Sequence, residues 1–194
     1  MSSHGNHGTG TKAAKANADG IQELEKMLAE SPSPERVSAK LAQVLHVQRN
    51  EVALLRVEQG SLRFVFPAEL RAAGVIPLSS SAVAARTAAT GTPLLSNSFA
   101  RVKHVSLFET VKLGPAEEAS RSEQMPIQKI MSVPVTQPEG KVVGVVQVSR
   151  KGLDSSLAGA DFTGNDLNRL ESAAKVLARM PFMEEDVSLG ESSR

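Results

Sequence analysis

The chain has 194 residues, with 22 basic and 21 acidic side chains and a formal net charge of +1. That balance gives no electrostatic basis for binding nucleic acid or an anionic membrane. Cysteine, tryptophan and tyrosine are absent, which excludes disulfides, thiolate catalysis, thioether-linked cofactors and the usual stacking platforms for single-stranded nucleic acid.

Residues 1–19 are Gly, Ser, Ala, Asn and Lys without apolar period, and are expected to be a disordered tail. They lack the apolar core of a secretory signal, and no apolar run approaches the ~18 residues of a membrane span. The expectation is a cytoplasmic protein with no membrane partner. Ile21, Leu24 and Leu28 place a short amphipathic helix within 20–31, too narrow in its stripe to fold alone. A longer helix follows, with Ser33 as N-cap, Pro34 at the first helical position and Glu35 in the first turn. Its apolar face is Val37, Leu41, Val44 and Leu45.

"EVALLRVEQGSLRFVF" predicts a hairpin turning at Gln59-Gly60. "SSSAVAARTAATG" predicts a helix capped by its serines and stopped by Thr90-Gly91 and Pro93. "PLLSNSF" predicts a strand, and residues 100–128 a loop with one or two short helical turns. "IMSVPVTQPEGKVVGVVQV" predicts a second hairpin, closed by a type I turn with Gly140 free to take positive φ. Pro134 inside its first strand calls for an edge or an irregularity. In the second strand Val142, Gly144, Val146 and Val148 form one face; Lys141, Val143, Val145 and Gln147 form the other. The last helix has Thr163 and Asp166 as an acidic capping box, a Phe162–Leu167 staple and a wide stripe from Leu167 to Met180. Residues 184–194 are expected to be a second disordered tail.

Hairpins flanked by helices at both ends of the chain predict an α+β fold. The closing pattern, "IMSVPV", a turn, "KVVGVVQVSRKG" and "FTGNDLNRLESAAKVLARM", resembles that of GAF domains, as does "GVIPLSSSAVAARTAATGTPLLSN". The resemblance covers residues 34–181. It implies a central antiparallel sheet of about six strands with the terminal helices on one face. On the other face it implies a small-molecule pocket under a lid of loop and short helix, here residues 97–128. It also implies a sensing and regulatory role, pairing through the terminal helices as a homodimer, and a separate output protein as partner.

Within that family, covalent bilin attachment and the sulfoxide-reductase chemistry both use cysteine, which this chain lacks. No enzymatic activity is therefore expected. The cyclic-nucleotide pattern is matched only in fragments, by Asn97, Lys103, Phe108 and Glu109. His104 has no second ligand beside it, so haem is not expected, and no metal site is predicted. His46 is placed as a dipole partner at a helix end. The candidate ligand-binding residues are Ser80 at a helix start, Arg86 as an anion clamp, and Asn97, Phe99, His104, Phe108, Met131, Val133, Val145 and Gln147 as pocket lining. The competing expectation is a filled pocket and a ligand-free dimerisation or protein-interaction module.

Overall fold

A computed structural model describes residues 20–27, 30, 32–101 and 125–184 of the chain. Helix α1 (20–27) is followed by α2 (Pro34–Leu45) and the hairpin β1 (Val52–Glu58) and β2 (Ser61–Phe66). Next come β3 (Val75–Pro77), α3 (Val83–Thr90) and β4 (Leu94–Ser96). The long hairpin β5 (Ile127–Thr136) and β6 (Val142–Lys151) and helix α4 (Gly164–Leu177) complete the order. The strands form one six-stranded sheet in the order β3-β2-β1-β6-β5-β4, with every pairing antiparallel. Strand β3 and the short 3-10 segment before it, Ala68–Ala73, were not anticipated.

Local chemistry explains the boundaries. Gln59 and Gly60 both take positive φ, the conformation of a two-residue hairpin turn whose twist matches its strands. At the other hairpin Gln137 N–H donates to Lys141 O, Gly140 N–H donates to Gln137 O, and Gly140 lies at φ 91°. Thr163 accepts from the Asp166 amide while the Asp166 carboxylate accepts from Thr163 N–H at 2.8 Å, so the predicted capping box is present. Strand β4 pairs with β5 only from Ile130 to Ser132. Pro134 therefore sits beyond the end of β4, where no described strand pairs with that side of β5 and a residue without an N–H is tolerated.

One expectation fails at α3. Its N-cap is Ala82, with no side-chain cap, and Ser79, Ser80 and Ser81 lie outside the helix. Gly91 does end it, in the left-handed conformation, with its N–H donating to Thr87 O. His46 ends α2 through its backbone, at φ 53° with its N–H donating to Ala42 and Gln43 carbonyls.

Each face of the sheet carries a core. On one, α1, α2 and α4 contribute Leu24, Leu41, Leu45, Leu170 and Leu177 to a cluster that includes Val146 and Val148 of β6. On the other, Ala84, Ala85 and Ala88 of α3 form a cluster with Ala53, Leu55, Phe64 and Val145. The side chains of α3 are small there, so its backbone lies close over the sheet. The alternation read in "KVVGVVQV" holds at 145–148 and breaks at 142–143. Val143 belongs to the helix-face core and Val142 packs against the opposite one. The cause is an irregularity beside the turn, where the register steps from Val135↔Gly144 to Thr136↔Val142 and leaves Val143 over.

Candidate functional site

Helix α3 has two faces with different jobs. Ala84, Ala85 and Ala88 turn to the sheet, whereas Val83, Arg86, Thr87 and Thr90 recur at the i, i+3, i+4, i+7 spacing of a single helical stripe. That stripe forms one wall of a half-open groove of about 270 Å³, and Thr92, Pro93 and Leu94, leading into β4, form the other. Beneath the groove Val83 joins Phe99, Ile127 and Ile130 in a small buried cluster, with Leu94 packed against it.

The groove reaches a buried polar network through Thr87. Thr87 Oγ1 lies 2.8 Å from Ser132 Oγ on β5, and Gln147 Nε2 of β6 donates to the same Ser132 oxygen at 3.1 Å. All three residues are buried. Polar groups in a core are tolerated when they satisfy one another, and such a network fixes how its elements sit together. Here it ties α3 to the two central strands of the hairpin.

Arg86 is exposed and lines the groove, with no ionic partner among the described residues. Ser80 lies in the turn before α3, and its hydroxyl oxygen is shielded from solvent without a hydrogen-bond partner. Phe99 is buried under the groove, and Gln147 stands at the inner end of the network. Asn97 does not face the groove as a free polar group. Its amide is spent on the Phe162 backbone, accepting from Phe162 N–H at 2.9 Å and donating to Phe162 O at 3.0 Å. His104 and Phe108 lie outside the described residues, as do Lys103, Glu109 and Leu28.

Met131 and Val133 are on the wrong face for the assigned role. Met131 pairs with Val148 and Val133 with Val146, and directly opposed residues of an antiparallel pair share a face. Both therefore join the helix-face core, and Ile130 and Ser132 take the α3 side. Val145 is on the expected face but is fully buried, in one cluster with the α3 alanines. The cover over β6 at that point is α3, and the opening lies to its side, toward β4. Thr87, Thr90 and Thr92, together with Ser132, were missed. The stripe beginning at Val83 was the available signal for the helical members, and it was read as a capped helix with no face of its own.

The GAF domain family model matches residues 35–179, and the chain belongs to that family. Among solved structures it is similar to the GAF domain of an Acinetobacter phosphoenolpyruvate-protein phosphotransferase, at 14% identity and TM-score 0.58 over 83% of this chain and 89% of that one. The A. aeolicus nlh2 GAF domain in an inactive state is similar at 18% identity and TM-score 0.57, over 87% and 96%. A free methionine-R-sulfoxide reductase from Neisseria meningitidis, solved in complex with its substrate, is similar at 18% and TM-score 0.53, over 94% and 95%. At such identities the likeness is one of fold. No curated protein matches the chain. GAF domains are generally regulatory or sensing domains, and that is the class to which this fold assigns the protein. Among the described residues no helix is long and apolar enough to cross a membrane.

Proposed function

We propose that this chain is a small-molecule-sensing regulatory domain without catalysis of its own, and that its effector sits in the groove between α3 and β4. The observation that carries this reading is the continuity of the groove with the Thr87–Ser132–Gln147 network. A molecule in the groove presses on Thr87, and Thr87 is bonded to a strand that packs against α4 on its far side. Occupancy thereby biases how α3 seats on the sheet, and the terminal helices pass that bias to a separate output protein. The groove is slightly smaller than the ~300–1,000 Å³ of ordinary ligand sites, which favours a metabolite over a nucleotide.

Thermal denaturation across a metabolite library tests the reading, since a ligand specific to the folded state raises the midpoint. The expected result is a stabilising compound whose effect disappears in Thr90→Trp, an exposed position where the larger ring fills the groove. A library that leaves the midpoint unmoved, with no ligand co-purifying in native mass spectrometry, refutes it.

A further inference from the structure

The chemistry of the groove specifies more than a small molecule. Arg86 supplies a permanent positive charge and a planar fork of donors suited to a carboxylate. It has no carboxylate of its own among the described residues, and it projects from the same stripe as Val83 and Thr90. The threonines beside it have already spent their protons. Thr90 Oγ1 donates to Arg86 O at 2.8 Å, and Thr92 Oγ1 donates to Thr90 O at 3.3 Å. Thr90 Oγ1 also accepts from Thr92 N–H, but the lone pairs of Thr92 Oγ1 have no donor among the described residues. A hydroxyl in that state offers a ligand an acceptor. Val83, Pro93 and Leu94 supply apolar wall and no further charge.

We infer that the groove takes a small aliphatic carboxylate bearing a hydrogen-bond donor next to the carboxylate, an α-amino or α-hydroxy acid. Arg86 holds the carboxylate, Thr92 accepts from the neighbouring amino or hydroxyl group, and the aliphatic part lies against Val83 and Leu94. This inference rests on the sensing role proposed above and adds the class of effector. Three features set the class together. A lone cation among the lining residues selects an anion, the spent Thr92 hydroxyl selects a donor beside it, and the Val83, Pro93 and Leu94 wall suits an aliphatic body.

The test uses the full chain and defined probes: L-valine, 2-hydroxyisovalerate, isovalerate, valinamide and inorganic phosphate, each titrated by calorimetry. Valine or 2-hydroxyisovalerate is expected to bind more tightly than isovalerate, which lacks the donor, and valinamide, which lacks the anion, is expected not to bind. Arg86→Gln should weaken binding about tenfold or more, the loss expected for one charge-assisted hydrogen bond. Thr92→Val should abolish the advantage over isovalerate while leaving isovalerate itself unchanged. Both positions are exposed, and a circular-dichroism melt of the free variants checks that each is folded. Phosphate binding as tightly as the acids, or affinity indifferent to Arg86→Gln, overturns the inference. If a neutral library compound stabilises the chain and Arg86→Gln has no effect on it, the effector class is wrong but the sensing site stands. If no compound binds at all, both fall.

Discussion

Among the described glycines, Gly144 leaves the least room for a side chain. A Cβ built there would collide with the Leu55 carbonyl oxygen on β1 and the Met183 methyl group. Met183 is itself buried, seated over the strand by the short turn Pro181–Met183 that follows α4. Gly144→Ala is therefore expected to lower stability by about 1–3 kcal/mol or more, the usual range for overpacking. Shortening Met183 to Ala in the same chain should recover only part of this, because the Leu55 backbone cannot withdraw as a flexible side chain can. Urea midpoints of the single and double variants measure both. A second residue-scale case is Glu58. Burial pushes its carboxyl pKa up, but hydrogen bonds and charge from Arg56 and Arg63 outweigh that and hold it below its ordinary value of 4.5. A depressed folded-state pKa contributes stability that is present above the unfolded value and lost as pH falls through the folded one. The stability gap between the wild type and Glu58→Gln should accordingly be full near neutrality and close progressively below about pH 4.5. A gap constant from pH 7 to 3 would show that the carboxylate charge contributes nothing.

Between elements, the decisive contact is that of α3 with the central hairpin. Ser132→Ala removes the oxygen shared by Thr87 and Gln147 and leaves two buried polar groups unpaired, which should cost about 1–3 kcal/mol. Replacing all three at once, Thr87→Val, Ser132→Ala and Gln147→Leu, removes the unpaired groups and should be less damaging than the single change. A triple variant that loses as much as the sum of the single changes would show the three act separately. This element also marks where the sequence was legible and where it was not. The long periodic helices, both hairpin turns and the Thr163 cap could be read because each rests on residues adjacent in sequence. Which face Met131 and Val133 take depends on how β5 pairs with β6, and alternating apolar residues on both strands fit either register. Three consecutive serines suggest a cap by composition, but the chain begins its helical turn only after Ala82. Arg86 was named from its residue type alone. The groove that gives it a role is assembled from two segments, and its threonines look ordinary in either one.

At the level of the whole molecule, the apolar faces of the terminal helices are packed into the domain's own core. Leu24 of α1 is 0% exposed and belongs to the same core as Leu41, Val146 and Leu177. After α4, Arg56 on β1 donates to the carbonyls of Phe182 at 3.3 Å and Glu184 at 2.8 Å, holding the following segment against the sheet. Pairing through the terminal helices was the sequence expectation, and a charge at Leu24 is the change that probes it. With Leu24 spent inside the chain, the change should act on folding. Leu24→Asp loses the burial of a leucine, about 1.5–3 kcal/mol, and must also bury or expel a carboxylate. Equilibrium urea unfolding is expected to show a lower midpoint and an unfolding free energy reduced by about 3–5 kcal/mol, as severe core substitutions do. Sedimentation velocity under native conditions is expected to show the same oligomeric state as the wild type, because the surface of α1 is left intact. Dissociation with an unchanged urea midpoint would place Leu24 at an interface between copies and contradict its seat in this core. Pairing through these helices would use the outward faces of α1, α2 and α4, whose exposed residues are mostly charged and polar. An interface of that composition would be polar and readily reversible.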